Sequence, residues 1–404
     1  MTDMHPVEAH RARVLAGIRP VEPAWLGLEA AEGAVLAAAA VATVPLPSFD
    51  NSSMDGYAVH ACDIAPATDE APVTLPVADQ VPAGDTRAVT VAPGTCVRIM
   101  TGALLPAGAD AVVPVEWTDG GTTQARFSQP APKGYSIRRT GEDVAVDAVL
   151  LPEGTRLGPA QIALLAASGH GSVLARAAPR VAVIATGNEL SEPGSPLVPG
   201  RIWESNSYML AAAVRQAGGL ATRHRADDDP DTVLALIESL AAQADLLVTS
   251  GGVSMGGEHD VVKAALSGAA EMTFHKVAMQ PGMPQGFGTV GTASRPIFTL
   301  PGNPVSAYVS FQLFVRPAAG VLQALRPQRL PSGRAALAAP VRSPRDRRSF
   351  LRGILDPAAG TVAPVTGQAS HQLASLARAN ALIVVPESVT ELPAGSDVEV
   401  LMLP

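Results

Sequence analysis

The sequence predicts a multidomain protein of the α/β plus β class, with one doubly wound α/β domain set between β-rich segments. Length is the first reason, because 404 residues exceed one ordinary core and fit about two to four domains. Periodicity is the second. From about residue 178 to 325 buried-strand patterns alternate with amphipathic helix patterns, which is the signature of a largely parallel sheet covered on both faces. Punctuation is the third, since short β-like runs separated by Pro and Gly fill residues 58–140 and return after 330.

Taken in order, residues 1 to about 45 carry helix-like spacing, with Leu26, Leu28, Val35 and Leu36 on one apolar face and Pro45 and Pro47 as its stop. Asp50, Asn51, Ser52, Ser53, Asp55 and Gly56 then form a turn-rich segment before the strand-like YAV, and both a capped boundary and a functional loop fit it. The runs PVTLPVA, TRAVTVA, TCVRIMTG, DAVVPVE and YSIRR predict a small β-barrel or sandwich. PAQIALLAASG predicts a helix from Pro159 that stops at Gly169. In the α/β stretch, RVAVIATG is a buried strand. SNSYMLAAAVRQAGG is a helix with Ser205 or Asn206 as N-cap, and DTVLALIESLAAQ is a helix that Asp229 and Pro230 begin. GRAALAAPVR, SFLRGIL, ALIVVPE and SDVEVLML predict a separate small β domain at the C-terminal end.

Hydrophobic residues make up 47% of the chain and aromatics 4%, so Ala, Val and Leu must fill its cores. The net charge of −8, spread without long runs, argues for a soluble protein and against broad binding to nucleic acid or anionic membranes. The N-terminus lacks the apolar core of a signal peptide, and the alanine run 37–42 is too short to span a bilayer, so a cytoplasmic location is expected. Cys62 and Cys96 form no metal or disulfide pattern.

Two junctions carry possible chemistry. In DLLVTSGGVSMGGEHDVVK an apolar strand ends at Ser250, Gly251 and Gly252, and a helix follows. In FTLPGNPVSAYVSF the strand ends at Pro301 and Gly302, Asn303 stands as N-cap, Pro304 begins the helix and Ser306 lies in its first turn. A strand, a glycine turn and a helix N-terminus offer unpaired N–H groups to an anion, and two such turns at one carboxyl edge favour a phosphate or pterin-type ligand over chance turns. Near them lie Glu189, Asp227, Asp228, Asp229, Glu258 and Asp260. Carboxylates beside a phosphate site suggest magnesium, although N-capping explains Asp229 and Asp260 equally well. His259 and His275 fit no metal spacing and read as bystanders, whereas Lys276 can meet a phosphate or an oxyanion.

The motifs FDNSSMDGYAV, RIMTGALLPAGADAVVPVE, TGNEL, TSGGVSMG, QPGMPQGFG and LPGNPVSA occur in one family's order. By them the chain resembles the molybdopterin molybdenumtransferases, the MoeA proteins and the gephyrin E domain, over almost its whole length. The resemblance implies a split helical domain (1–50 and 141–177), an inserted β domain (51–140), a MogA-like molybdopterin-binding α/β domain (178–327) and a C-terminal β-barrel (328–404). It also implies a homodimer with a shared cleft, the first β regions of one subunit facing the α/β domain of the other, and a MogA-type adenylyltransferase as partner. The implied reaction inserts molybdate into adenylylated molybdopterin and releases AMP, with magnesium assistance. By motif position the resemblance implies catalytic roles for Asp55, Thr101, Glu189, Asp260 and Lys276. Ser250, Gly251, Gly252, Ser254, Pro301, Gly302, Asn303, Ser306, Arg348, Arg352 and Ser370 take cofactor-binding roles, and Glu189, Asp228, Asp229 and Asp260 hold the metal.

Two departures stand out. Many members carry lysines in the stretch that here reads MQPGMP, so Gln280 and Met283 remove two positive charges from the implied oxyanion pocket. The GGEHD loop is one residue longer than the usual form. A weaker molybdate site, or one completed by arginines elsewhere, is therefore expected. A gephyrin-like scaffold and a molybdopterin adenylyltransferase are the competing readings. The glycine cradles argue against the first, and the N- and C-terminal domains, superfluous in the smaller enzyme, argue against the second.

Overall fold

Three apolar runs too hydrophobic to face water on either side, Arg180–Thr186, Leu246–Ser250 and Arg295–Leu300, build the centre of the α/β region. The computed structural model of the chain describes residues 4–252, 260–268 and 271–404. They pack as two compact units, one of Met1–Ala24, Gly33–Val35 and Ala175–Pro404, the other of Trp25–Glu32 and Leu36–Leu174.

In the larger unit the chain runs β1 (Arg180–Thr186), α1 (Asn206–Gln216), β2 (Leu220–Ala226), α2 (Pro230–Ala241), β3 (Leu246–Ser250), α3 (Val261–Leu266), β4 (Glu271–Lys276), β5 (Pro284–Val290), β6 (Arg295–Leu300) and α4 (Pro304–Ser310). The six strands form one sheet in the order β2-β1-β3-β6-β5-β4. The first four are parallel, and β5 and β4 add an antiparallel edge. Alternate residues serve opposite faces. Val181, Val183, Leu246, Val248, Phe298 and Leu300 pack with Leu210 and Val214 of α1 and Val305 and Val309 of α4. Ala182, Ile184, Leu247 and Ile297 pack with Val233, Ile237 and Leu240 of α2 and Val262 and Leu266 of α3. The strand order reverses direction between β1 and β3, which opens a crevice beyond their carboxyl ends.

The C-terminal β runs close on themselves. Arg348–Asp356 pairs with Thr361–Pro364, which pairs with Ser332–Leu337, then Asp397–Met402, then Ala381–Val385, and the last pairs back onto Arg348–Asp356. The short strand Met279–Gln280 leaves the α/β sheet and joins this barrel, with Met279 opposite Arg348 and Gln280 opposite Ser349. The helical run Pro304–Leu322, which contains α4, is long and apolar enough to cross a membrane by composition, and 83% of it is buried inside the protein.

The second unit holds a five-stranded sheet in the order Ala111–Pro114, Gly56–Val59, Cys96–Ile99, Val73–Val81, Gln124–Phe127. It also holds the helix Pro159–Ala167, and Gly169 follows at φ +82°. The helix expected across the first 45 residues is confined to Val7–Ala16. Leu26 lies in the strand Ala24–Gly27, Leu28 opens a single 3₁₀ turn, and Val35 and Leu36 form a two-residue strand. Pro20 and Pro23 remove helical donors and Gly33 turns the chain at φ +72°, so the apolar spacing there coincides with a helical period without forming one. TRAVTVA likewise contributes only an isolated bridge from Thr90 to Ala107. Its apolar residues Val89 and Val91 still pack on the core around Val97 and Ile99.

The antiparallel edge of the α/β sheet depends on two glycines with no room for a side chain. A Cβ on Gly286 would stand 2.0 Å from the Thr299 hydroxyl, and one on Gly288 would stand 2.1 Å from the Glu271 carbonyl oxygen. Gly286→Ala and Gly288→Ala are each expected to cost about 1–3 kcal/mol of stability through overpacking, read by urea unfolding of the full chain.

Candidate active site

Beyond the carboxyl ends of β1, β3 and β6 lies a cavity of about 330 Å³. It is lined by Thr186, Glu189, Trp203, Ser205, Asn206, Ser250, Gly251, Gly302, Asn303 and His371, among others. Gly251 and Gly252 take φ of +101° and +68°, conformations that favour glycine. A Cβ on Gly302 would sit 3.5 Å from the Gly251 Cα, so the two glycine turns lie side by side. Asn303 occupies the N-cap position of α4 without a side-chain cap hydrogen bond, and it faces the cavity.

One amide joins these turns. The Nδ2 of Asn206, at the start of α1, donates to the Ser250 Oγ at 2.8 Å and to the Gly302 carbonyl oxygen at 2.6 Å. The sequence marked Asn206 only as a possible helix cap. Ser205 occupies that position instead, leaving the Asn206 amide for the two turns. The Ser370 carbonyl oxygen accepts from the Val305 N–H at 3.1 Å, which brings the segment after the barrel strand Thr361–Pro364 to the cavity and places His371 in its lining.

The acidic residues divide. Glu189 lines the cavity, folded so closely over Gly187 that a Cβ there would lie 2.5 Å from its Oε2. Beside it the Thr186 hydroxyl is buried with no hydrogen-bond partner among the described residues. Asp228 accepts from the Asn188 N–H at 2.9 Å, closing the turn that presents Glu189. Asp229 caps α2, accepting from the Thr232 N–H at 2.9 Å, and that helix end holds its carboxyl below the usual range through the Thr232 hydroxyl and N–H. Asp260 stands at the start of α3. Ser254, Glu258 and His259 lie outside the described residues. No group of three or more His, Cys, Asp or Glu fit to hold a metal occurs among the described residues.

A second set of predicted residues gathers where β4 leads into the barrel. Lys276 ends β4, and its carbonyl oxygen accepts from the His5 N–H at 2.8 Å. Gln280 Oε1 accepts from an Arg347 guanidinium at 3.2 Å, so a cation stands against the position where lysine was expected. Arg347 was invisible to motif reasoning because its partner is 67 residues away. Arg348 is engaged with Glu8 and Glu387, and Arg352 is fully buried. Arg352 donates to the carbonyl oxygens of Gly367 at 2.9 Å and Ala369 at 3.1 Å, fixing the loop that carries Ser370 and His371. Arg348 and Arg352, Pro301, Ser306 and Lys276 do not line the cavity, and Pro301 and Ser306 are buried behind it.

In the other unit Asp55 and Thr101 meet directly. The Asp55 Oδ1 accepts from the Thr101 N–H at 2.7 Å and from its hydroxyl at 2.8 Å. Both residues are exposed, and Gly102 turns the chain beyond them at φ +78°. Asp50 repeats the device, accepting from the Thr140 N–H at 2.8 Å and hydroxyl at 2.9 Å and pairing with Arg139 at 2.6 Å.

Known proteins match this chain along nearly its whole length. The MoeA N-terminal region (domain I and II) matches residues 5–169, a probable molybdopterin binding domain matches 182–320, and the MoeA C-terminal region (domain IV) matches 334–403. Molybdopterin molybdenumtransferase 2 of Mycobacterium tuberculosis is 48% identical over 404 residues, covering 98% of this chain and 99% of its own. The chain belongs to the molybdopterin molybdenumtransferase family. It is a transferase of molybdenum cofactor biosynthesis, acting at molybdenum insertion. The molybdopterin molybdenumtransferase of Bacillus subtilis is 36% identical, with 98% and 94% of the two chains covered. Two crystal structures of the molybdopterin biosynthesis MoeA protein from Pyrococcus horikoshii match 99% of this chain, with TM-scores of 0.76 and 0.72 at 32% and 28% identity.

The Thr101 N–H, then its hydroxyl, hold the Asp55 carboxyl below the usual carboxylate range. Its folded pKa is depressed, so the interaction is complete above the unfolded value of about 3.9 and is lost as pH falls through the folded one. Thr101→Val, which removes the hydroxyl, is expected to raise the Asp55 pKa toward that unfolded value, as followed by carboxyl carbon NMR between pH 2 and 6; an unmoved titration would contradict the assignment.

Proposed function

We propose that the chain inserts molybdate into adenylylated molybdopterin with release of AMP, and that the cavity beyond β1, β3 and β6 holds the pterin phosphate. The observation that carries this reading is the pair of glycine turns locked together by Asn206 at the switch point of the sheet. The Gly251 N–H is taken by the Leu300 carbonyl oxygen at 3.2 Å, so the donors proposed for a phosphate are the backbone N–H groups of the Gly302–Asn303 turn, which lines the same space as Gly251 and can donate without a lysine. Full-length coverage by the family supports the insertion step, since the Asp55–Thr101 loop and the barrel are both present.

Magnesium dependence belongs to the same proposal. Glu189 and the unpartnered Thr186 hydroxyl offer hard oxygen donors in the cavity lining, a donor set that fits a magnesium ion sharing substrate phosphate oxygens and water. Asp228 and Asp229 already support neighbouring backbone, so Glu189, the carboxylate in the cavity lining, is proposed to hold the ion, with Asp260 at the start of α3 as the other candidate. When bound, the ion supplies charge neutralisation at the phosphate. For the oxyanion, Lys276, Gln280 and Arg347 form the proposed pocket, with Arg347 restoring a positive charge where the family's lysine is missing. Asp55, kept ionised by Thr101, serves as a proton acceptor or an ordering carboxylate. We further propose the four-part division at 1–50 with 141–177, 51–140, 178–327 and 328–404, a cytoplasmic homodimer, and a MogA-type adenylyltransferase as supplier of the substrate.

The test is AMP release from adenylylated molybdopterin by the purified protein with molybdate and magnesium; no release defeats the reading. In the same assay Asp55→Ala is expected to abolish insertion while the circular dichroism spectrum is unchanged. Arg347→Ala is expected to raise the molybdate KM by about 10-fold, the loss of one charge-assisted contact. Chelation by EDTA is expected to stop AMP release and added magnesium to restore it.

A further inference from the structure

The cavity has one wall that no phosphate chemistry explains. Ile202 and Trp203 form a two-residue strand paired in parallel with Leu190–Ser191, and their side chains are 56% and 51% exposed. Water contact at two large apolar side chains in succession is unfavourable unless something covers them. The indole Nε1–H of Trp203 donates to the Ser195 carbonyl oxygen at 3.1 Å. That bond uses the ring's only polar group and fixes its edge. What remains for the cavity is an apolar π face, in a lining that also contains Leu190, Ile202 and Leu373.

We infer that Trp203 is the stacking platform for a planar heterocycle of the bound substrate, and so a specificity-determining residue of this cavity. The inference rests on the proposed function, which places a nucleotide- and pterin-bearing molecule beside Ser250, Gly251 and Gly302. The polar turns hold the anionic part of such a molecule, and Trp203, in the same lining, covers a flat ring attached to it. Aromatic stacking tolerates any π face, so the shared chemistry is a planar heteroaromatic ring. The substrate has two, adenine and pterin, and the experiment separates them.

The full-length protein contains three tryptophans, and Trp25→Phe with Trp117→Phe leaves Trp203 as the sole indole. Its emission is titrated with AMP, with ribose 5-phosphate and with 6-hydroxymethylpterin, and acrylamide quenching is measured alongside. Quenching by AMP but not by ribose 5-phosphate, with acrylamide access lost on binding, is the expected result and assigns adenine to the platform. Quenching by the pterin alone also supports the platform and assigns the other ring. Quenching by neither ring, or an indole already shielded from acrylamide without ligand, overturns the inference. Independently, in the otherwise unaltered chain, Trp203→Ala is expected to raise KM for adenylylated molybdopterin about 10-fold with kcat unchanged, and Trp203→Phe to restore it. An unchanged KM in Trp203→Ala overturns the inference even where AMP release proves the insertion reaction. Absence of AMP release from the wild-type protein defeats the proposed function instead, and leaves the fluorescence titration to decide on the platform.

Discussion

The two hydrogen bonds from Asn206 are the constraint on which the candidate site depends. Parallel strands fix their own spacing through the ladder, but the turns beyond their ends are free of it. Here β3 ends in a serine and β6 in a glycine turn, and a single side-chain amide at the start of a third element holds both. The amide works because α1 packs Leu210 and Val214 onto the sheet, which fixes the helix start relative to β3 and β6. Hydrophobic packing on one face of the sheet thus sets the geometry of polar groups at its edge. A neutral donor suits that place, because a lysine in the same position would draw the ligand's charge to one point instead of leaving the backbone N–H groups to share it.

A second constraint couples the α/β sheet to the barrel. Chain leaving β4 contributes Met279 and Gln280 to the barrel edge before returning as β5. The neighbours of Gln280 are therefore decided by the barrel register, which sets Met279 opposite Arg348 and brings Arg347 within reach of the Gln280 amide. Arg352, buried in the same barrel strand, holds the backbone of the 367–369 loop. Burial without a full set of partners lowers its pKa through desolvation, and the carbonyl oxygens around it offset part of that cost. In this structure Arg352 positions chain and Arg348 pairs with Glu8 and Glu387.

How much was legible in the sequence follows from which interactions are local. The alternation of strands and helices in the α/β domain, and its largely parallel sheet, are readable because central strands buried on both faces are uninterrupted apolar runs, and because Asp229 with Pro230 and the glycine turns are signals spanning a few residues. The N-terminal segment was misread because Leu26, Leu28, Val35 and Leu36 happen to fall at helical intervals, while the prolines and the glycine between the helix and those strands decide the structure. In the site, Ser250, Gly251, Gly302, Asn303 and Glu189 carried turn or carboxylate signals and line the cavity. Asn206, Thr186, Trp203 and His371 line it too; Asn206 carries only a helix-cap signal and Thr186 only its place in TGNEL, and nothing in the chain around Trp203 and His371 sets them apart. Asn206 meets Ser250 across 44 residues and Gly302 across 96, so its role exists only once the sheet has formed.

In the proposed oxyanion pocket, Gln280 with Arg347 would deliver positive charge differently from the lysine that the resemblance implies there. A lysine ammonium on a flexible stem is strongly hydrated, and it loses side-chain entropy when it is held against an oxyanion. The guanidinium of Arg347 is planar, already anchored on the Gln280 amide oxygen, and half-buried at the start of a barrel strand. An oxyanion meeting it finds donors whose orientation is set before binding, and that preorganisation offsets part of what a second cation would contribute. The Nε2 of Gln280 adds a neutral donor group on the same amide whose Oε1 anchors Arg347. One fixed cation with a neutral neighbour avoids the mutual repulsion of two lysines while retaining attraction for a divalent anion. In the proposed oxyanion pocket, Gln280 and Arg347 would therefore combine lower charge with greater order.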